Sequence, residues 1–281
     1  MPTINRTMGD AYVAFLDVLG FKALVENNSH EELSQIYDKA LLGGMSLGLS
    51  NRQYATVNGP DGRVLTNDTT AVPVNSLIVS DSIIIWTEDD SGRSFQDIVS
   101  VVRGVLAHSC FEGLPLRGAI SVGPVSWVES RLGSATHNIQ SSVFGVGLTK
   151  AYQLENNQEW AGCVVADESV SRFLGKIGGD SSAKLITELG RALGLLEYWV
   201  PFKDRCAKMV VVDWVNHPEV QARTKSVADA FHRHRKSTSS ASVVDRVSTE
   251  TKQENTVRFV RHVFPAADNE GMAAVFAAFS P

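Results

Sequence analysis

The apolar run AYVAFLD at residues 11–17 ends in an acid, and a glycine follows at Gly20. Such a run, bounded by polar residues and glycine, is typical of a buried strand that leads into a tight turn. The carboxylate of Asp17 at the strand end is suited to hold Mg²⁺, or alternatively to cap the turn. Successive N–H groups in a tight turn form an anion-binding concavity, which predicts phosphate contacts for the backbone of Val18, Leu19, Gly20 and Phe21.

A second acid stands between two strand-forming runs in NSLIVSDSIIIWTE at residues 75–88. β-branched residues flank the polar element Ser80-Asp81-Ser82, which predicts two strands with Asp81 at the turn between them. Two acids at the mouth of one sheet are what a two-metal site requires, with ions about 3.5–4 Å apart. The alternative is an ordinary hairpin-turn aspartate. Asp17 and Asp81 are therefore predicted to bind two ions of Mn²⁺ or Mg²⁺.

The remaining sequence alternates between helix and strand signals. Apolar residues at helical spacing predict helices at 30–42 and 94–111, and a glycine-rich segment leads into another helix at 143–157. Residues 161–169 have the pattern of a strand followed by a helix cap at Asp167 or Ser169. Further strands are predicted at 52–57, 63–66, 114–123, 124–129, 195–203 and 207–215. The order of these elements, with at least two hairpin-like joins, predicts an α/β (α+β) fold whose sheet is partly antiparallel.

Composition excludes several classes of protein. Hydrophobic residues make up 43% of 281 residues and charged residues 20%, which is ordinary globular composition. The net charge of −5 argues against a nucleic-acid binder, which needs lysine and arginine to neutralise phosphates. Neither a signal peptide nor an apolar run of membrane-spanning length is present, so we expect a cytoplasmic protein with no membrane partner. The three separated cysteines indicate buried thiols: Cys110, Cys163 and Cys206.

Four motifs follow one another along the chain: FLDVLGF at 15–21, SDSIII at 80–85, LRGAISVG at 116–123 and FGVGLTKAYQLE at 144–155. In this order they resemble the class III nucleotidyl cyclases, and within them the Pycsar pyrimidine cyclases of bacterial anti-phage defence. The resemblance covers residues 11–170 and includes no motif of the C-terminal third.

The resemblance implies a central, mainly antiparallel sheet wrapped by helices, in a head-to-tail homodimer with active sites at the interface. Asp17 and Asp81 match the two metal-binding acids, and the carbonyl of Val18 matches the group that joins them. The implied reaction is attack of the ribose 3′-hydroxyl on the α-phosphorus of UTP, or second in preference CTP, giving a 3′,5′-cyclic monophosphate and pyrophosphate. The product would act as a second messenger that switches on a separate effector protein.

Two positions depart from the family pattern. Thr149 and Gln153 stand where the purine cyclases carry an asparagine and an arginine four residues apart. Because charge develops on the transferring phosphoryl group, a fixed cation is still expected, and we predict Arg117 and Lys150 as the catalytic substitutes. The alternatives are a strand-end salt bridge for Arg117 and a solvated helix charge for Lys150.

The Pycsar resemblance also implies a tyrosine in a small base pocket, which corresponds here to Tyr54 in RQYATV. A tyrosine offers one π-face and one hydroxyl, which suit the single ring of a pyrimidine. Simple packing of an aromatic residue on a half-exposed strand explains the same position equally well.

We expect the chain to comprise a cyclase homology domain at 1–215, with an insertion at about 175–194, and a C-terminal helical extension at 216–281. The extension should contain helices at 218–235 and 256–264 around a polar linker at 236–244. His232 and His234 are expected at a solvated helix end.

Two other functions remain open. A catalytically silent cyclase-like domain that binds nucleotide and regulates a partner would explain the departure at Thr149 and Gln153, although such a domain has no need of two metal-binding acids. A cyclase that condenses two nucleotides is the weaker alternative, because no GGDEF-type run is present.

Overall fold

Two sixteen-residue strands form the centre of the molecule: β1 (Thr3–Val18) and β6 (Leu116–Arg131) pair antiparallel along their whole length. The computed structural model describes residues 3–50, 53–59, 62–131, 139–178, 190–218, 220, 227–234 and 243–263. The strand predicted at 11–17 is the buried half of β1, and the strand continues eight residues further towards the N-terminus.

The other strands are short. They are β2 (Tyr54–Gly59), β3 (Gly62–Asn67), β4 (Asn75–Val79), β5 (Ser82–Trp86), β7 (Ile139–Phe144), β8 (Gly162–Val165), β9 (Leu195–Pro201) and β10 (Cys206–Val212). Eight strands of the described chain form one sheet in the order β4-β5-β1-β6-β8-β10-β9, with β7 also paired to β6. Only the β6–β8 pair of that sheet is parallel, while β2 and β3 form a separate hairpin.

The described helices are α1 (Phe21–Asn27), α2 (His30–Ile36), α3 (Gly43–Ser50), α4 (Gly92–Phe111), α5 (Val146–Asn156), α6 (Asp167–Lys176), α7 (Val227–His232) and α8 (Val243–Val263). A π-helical segment, Tyr37–Leu42, joins α2 to α3. A mixed α/β fold with a central, mostly antiparallel sheet flanked by helices and extended by C-terminal helices is thereby confirmed.

The two strands predicted at 114–123 and 124–129 are one strand in the structure. Proline usually ends a strand because it has no N–H to donate to the ladder. Pro124 is tolerated because β6 changes neighbours there: β6 pairs with β8 up to Ile120 and with β7 from Ser126 onwards. The missing N–H therefore costs no hydrogen bond on that side.

The two faces of the sheet are covered unequally. The main core lies on one face, where α3, α4 and α6 bury residues such as Met45, Ile98 and Phe173. The other face carries a smaller cluster in which Val13 and Trp86 pack against α5. Side chains alternate between faces along β1, so Asp17 lies on the sparsely covered face with Val13 and Phe15.

Several helix predictions change in detail. The helix predicted at 30–42 becomes π-helical from Tyr37, and α6 begins after Ala166 with no side-chain cap, so neither Asp167 nor Ser169 caps it. At the C-terminus α8 begins at Val243, inside the predicted linker and thirteen residues before the predicted helix. Within the helix predicted at 218–235, the structure describes mainly one helical part, α7. Most of the insertion at 175–194 and of the linker lies outside the described residues.

Two of the three cysteines are buried as predicted, Cys110 and Cys163, whereas Cys206 is exposed at the start of β10. Burial raises the pKa of the Cys110 thiol to about 12. None of the described helices combines the length and the apolar character needed to cross a bilayer.

Candidate active site

The ends of two adjacent strands bring Asp17 and Asp81 together. Asp17 is the penultimate residue of β1 and pairs across the sheet with Ser82, the first residue of β5. The backbone N–H of Val18 donates to the carbonyl of Asp81 at 3.0 Å. Ser82 Oγ donates to Asp17 Oδ1 at 3.3 Å, which orients that carboxylate. Both acids are half-buried, so the prediction that they share one mouth of the sheet agrees with the geometry.

The turn that carries Asp81 is strained and supported from outside the sheet. Ser80 has φ 57°, a left-handed conformation that residues other than glycine rarely adopt. The hydroxyl of Tyr37 donates to the Ser80 carbonyl. Tyr37 begins the π-helical segment, and single π-turns often occur at functional sites. The tyrosine therefore fixes the strained turn that presents Asp81.

The electrostatic environment of Asp17 disfavours its ionised form. Burial, followed by the negative charges of Glu155 and Asp81, raises its pKa from 3.8 to about 6. The positive charge of Arg117 and the hydrogen bond from Ser82 oppose this rise without cancelling it. A divalent cation between Asp17 and Asp81 would remove the repulsion, so the two carboxylates fit a hard metal ion.

The remaining metal ligands would have to come from elsewhere. Among the residues that the structure describes, no group of three or more His, Cys, Asp or Glu side chains is arranged to hold an ion. Mg²⁺ and Mn²⁺ are commonly held by one or two carboxylates together with water and substrate phosphate oxygens. The carboxylates of Asp17 and Asp81 are therefore suited to hold such an ion, and metal binding by these two acids and by the carbonyl of Val18 stays a prediction.

The turn after Asp17 offers fewer N–H groups than the sequence predicts. Gly20 has φ 70° and precedes α1, as expected of a tight turn. However, the N–H of Val18 donates to Asp81 and the N–H of Leu19 donates to the Pro115 carbonyl at 3.0 Å. The N–H groups of Val18 and Leu19 are therefore already engaged within the chain, and phosphate contact by the backbone of these two residues stays a prediction.

Arg117 lies next to Asp17 in the sheet but is committed to other partners. It pairs with Asp17 across β1 and β6, and only 7% of it is exposed. Its Nε donates to Glu155 Oε1 and its Nη1 donates to the Gln158 carbonyl at 2.8 Å. Glu155 is on α5 and 2% exposed. This geometry favours the salt-bridge alternative for Arg117, because a catalytic role would require a buried ion pair to open.

Lys150 belongs to a different surface within one chain. Its Nζ contacts Glu168 of α6. Both residues line a groove of about 660 Å³ that also includes Asp10 and Arg172 but neither Asp17 nor Asp81. Asp10 and Asp17 are seven residues apart on β1, which corresponds to about 23 Å of strand. One protomer therefore does not bring Lys150 to the two acids.

Tyr54 lies in the β2–β3 hairpin, outside the main sheet, where it pairs with Asn67. Its side chain is 61% exposed. None of the contacts among the described residues joins it to Asp17 or Asp81. The base-binding role of Tyr54 stays a prediction.

Three residues near the acids contribute to the site although no sequence pattern predicted a role for them: Tyr37, Ser82 and Glu155. Ser82 could have been found, because a hydroxyl next to a turn acid commonly bonds a neighbouring carboxylate. Glu155 closes the fourth motif, but its partnership with Arg117 depends on how α5 crosses β6. Tyr37 lies 43 positions from Ser80, and no local pattern connects them.

No protein-family model and no curated protein sequence matches the chain. Solved structures of nucleotide cyclases resemble it at low identity. It covers 95% of the adenylyl cyclase CyaB from P. aeruginosa with 74% of its own length, at 14% identity and a TM-score of 0.46. It covers 58% of a bacterial light-regulated adenylyl cyclase with 83% of its own length, at 10% identity and a TM-score of 0.43.

A third similar structure is the guanylate cyclase domain of RhGC from Catenaria anguillulae in complex with GTP. The chain covers 98% of that domain with 74% of its own length, at 12% identity and a TM-score of 0.41. At TM-scores below 0.5 these likenesses assign no family and no activity to this chain.

Proposed function

We infer that the chain is a nucleotide cyclase that converts a nucleoside triphosphate to a 3′,5′-cyclic monophosphate and pyrophosphate. The observation that carries this proposal is the meeting of the half-buried acids Asp17 and Asp81 at one end of the sheet, where burial and the negative charges of Glu155 and Asp81 raise the pKa of Asp17. The four motifs that resemble class III cyclases support it, because they fold into β1, the β4–β5 hairpin, β6 and α5 around this one point.

The residues of the site would act mainly by placing charge. Divalent ions held by Asp17 and Asp81 would neutralise the triphosphate and favour the ribose alkoxide. The new bond joins the 3′-oxygen to the α-phosphorus while the bond from the α-phosphorus to its bridging oxygen breaks, releasing pyrophosphate. Ser82 orients Asp17, and Tyr37 holds the turn of Asp81. The buried Arg117–Glu155 pair gives the site a rigid wall.

The proposed substrate is UTP, with CTP second, and the proposed setting is second-messenger signalling in anti-phage defence. These finer assignments rest on the resemblance of the motifs to the Pycsar cyclases. Tyr54 is the proposed base contact, because its ring is exposed and free to stack on a pyrimidine. A cyclic-nucleotide-activated effector protein would be the downstream partner.

The proposed working unit is a homodimer. The sheet face that carries Asp17 is incompletely covered, and Tyr152 packs edge-on against Phe15 on that face at 5.3 Å between ring centroids. Phe144, Val146 and Tyr152 are about half exposed, at 53%, 53% and 49%. Apolar side chains grouped at the surface are typical of protein contacts. A second copy placed on this face could bring its Lys150 to the acids of the first.

The reaction is tested by incubating the full chain with all four nucleoside triphosphates and Mn²⁺, followed by mass spectrometry of the products. Cyclic UMP or cyclic CMP from the wild type, lost in Asp17→Ala and in Asp81→Ala, is the expected result. Cyclic AMP or cyclic GMP as the sole product would overturn the pyrimidine preference, and a dinucleotide product would point to the condensing cyclase.

The dimer is tested by mixing two inactive variants, Asp17→Ala and Lys150→Ala. In a head-to-tail dimer the mixed species has one site with both residues intact, so activity should return to about a quarter of the wild-type value. Each variant alone should stay inactive. If the mixture stays inactive although subunits exchange, Lys150 does not serve the partner's site.

A silent nucleotide-binding domain is the second candidate, and one observation favours it. Arg117 is paired with Glu155. Thr149 and Gln153, which replace the asparagine and the arginine of the purine cyclases, are exposed on α5 and supply no positive charge. Calorimetry with UTP and Mn²⁺, beside a pyrophosphate-release assay, separates the two functions. Binding without any pyrophosphate release would select the silent domain.

A further inference from the structure

The turn that carries Asp17 is packed from behind by the C-terminal part of the chain. Leu19, two residues after Asp17, forms a small hydrophobic cluster with Ala161 and Phe231. All three are at most 5% exposed, and Phe231, at 1%, is among the most buried aromatic side chains of the described chain. Phe231 belongs to α7, more than two hundred positions from Leu19 in the sequence.

The residues that follow Phe231 are tied to the segments on either side of this turn. Arg233 Nη1 donates to the Phe111 carbonyl, and His234 Nε2 contacts the Glu112 carbonyl at 2.6 Å. Asn28 Nδ2, directly after α1, donates to the His234 carbonyl at 2.8 Å. His234 is thus partly buried, which corrects the expectation that it lies at a solvated helix end.

Gly113 makes the close approach possible. It has φ 89°, and a Cβ there would lie 2.8 Å from His234 Cδ2 and 3.0 Å from Arg233 Cβ. Two residues later, the Pro115 carbonyl accepts the N–H of Leu19. The C-terminal segment therefore contacts both the side chain of Leu19 and the loop that holds its backbone.

Helix α8 holds Ala161, the third residue of the cluster, in place. The N–H of Ala161 donates to Thr256 Oγ1 at 2.7 Å, and Asn255 Nδ2 donates to the Glu159 carbonyl at 2.7 Å. Thr256 is fully buried. Phe259, one turn further along α8, packs edge-on against Trp160 at 4.7 Å between ring centroids. The segment 159–161 is therefore held by α8, and it directly follows Gln158, whose carbonyl accepts a hydrogen bond from Arg117.

We propose that residues 231–234 together with α8 form a brace that positions the Asp17 turn, with Phe231 as its central positioning residue. The brace holds Leu19 through packing and through the loop at Gly113, so that Asp17 stays within reach of Asp81. The proposal rests on the proposed function only where it concerns the metal and the product. The position of the turn itself can be measured without either.

Amide hydrogen exchange of the full chain is the direct test, compared among the wild type, Phe231→Ala, Phe231→Leu and Phe173→Ala. Phe173 is a matched control because it is 4% exposed and packs in the main core against Phe95. In Phe231→Ala the amides of Val18 and Leu19 should exchange at least about tenfold faster, since loss of packing allows local opening. Phe173→Ala should leave them unchanged, and Phe231→Leu should fall between.

Mn²⁺ affinity, measured by electron paramagnetic resonance without nucleotide, supplies a second readout. The Kd for Mn²⁺ should rise about tenfold in Phe231→Ala and stay within about twofold in Phe173→Ala, because supporting residues typically change metal affinity by 10–100-fold. In Phe231→Ala kcat should fall together with the Mn²⁺ affinity, while KM changes less. Phe231→Leu should restore most of the affinity.

The outcomes separate the brace from the cyclase. Unchanged exchange at Val18 and Leu19 in Phe231→Ala, or equal acceleration in both alanine variants, overturns the brace. A wild type that binds no Mn²⁺ and forms no product overturns the proposed function instead, while the exchange result still decides the brace. If Phe231→Ala does not fold, Phe231→Leu carries the same comparison with a smaller cavity.

Discussion

The two halves of β1 each carry an acid, and the structure treats these acids in opposite ways. At Asp10 the charges are matched: Arg172 Nη1 contacts Asp10 Oδ2 at 3.1 Å and also bonds Asp90, and Lys176 Nζ contacts Asp90 Oδ1 at 3.0 Å. At Asp17 the positive charge that acts on the carboxylate, Arg117, is already paired with Glu155. Asp17 is left beside another acid, Asp81.

This difference separates structural charges from candidate functional ones. Burial alone would raise the pKa of Asp90, but hydrogen bonds and charge from Lys176 and Arg172 hold it below its usual value. The pKa of Asp17 is raised to about 6 instead. Strongly perturbed pKa values such as that of Asp17 cluster at functional sites, which supports the proposal that Asp17 belongs to one.

The largest effect on stability is expected where the ion pair is buried. Arg117→Met leaves Glu155 buried without its cation and should lower the free energy of unfolding by about 3–5 kcal/mol. Arg172→Met breaks the partly exposed pairs with Asp10 and Asp90 and should cost less than about 1 kcal/mol. Urea unfolding of both variants gives the two values. Equal costs would show that the buried pair is not what distinguishes the Asp17 region.

The pH dependence of stability should show a smaller effect, and its sign should differ between Asp17 and Asp90. The pKa of Asp17 is higher in the folded chain than its usual 3.8, so the folded state binds the proton more tightly and stability falls as pH rises from about 4 to 6. Without metal, Asp17→Asn should be more stable than the wild type at pH 7.5 by about 1–2 kcal/mol, a modest value because the carboxylate keeps contact with solvent. The gain should vanish near pH 4.

Asp90→Asn is the matched control for this pH test. The pKa of Asp90 is lowered in the folded chain, so its stabilisation is present at neutral pH and is lost as pH falls. That variant should therefore be less stable than the wild type at pH 7.5 and should approach it in acid. Thermal melts in EDTA at several pH values measure both trends, and the same sign for both variants would remove the contrast.

The smallest stability effect is expected at Lys150. Its pair with Glu168 is exposed, with 42% and 65% of the two side chains accessible, so Lys150→Met should change stability by less than about 0.5 kcal/mol. Lys176→Met is the control in the same groove. A loss of cyclase activity in Lys150→Met at unchanged stability would assign it to catalysis, whereas a large loss of stability would make it a structural residue.

Much of the architecture could be predicted from local patterns. The runs at 11–17 and 75–88 predicted β1, β4 and β5, and the spacing of apolar residues predicted α4 to within two residues. Errors arose where a neighbour decided the outcome. Pro124 stays inside β6 because β8 pairs with β6 before this residue and β7 pairs with β6 after it. Helix α8 is longer than predicted because its polar N-terminal half gives little hydrophobic signal.

The sequence by itself determined the chemical groups of the candidate site, because an apolar run that ends in an acid is a pattern of only a few neighbouring residues. Only the tertiary structure decided their surroundings: Glu155 neutralises Arg117, Tyr37 supports Ser80, and Phe231 packs behind Leu19. These partners are 38, 43 and 212 positions apart. Charge compensation and packing depend on distances in space, and the order of residues along the chain does not give those distances.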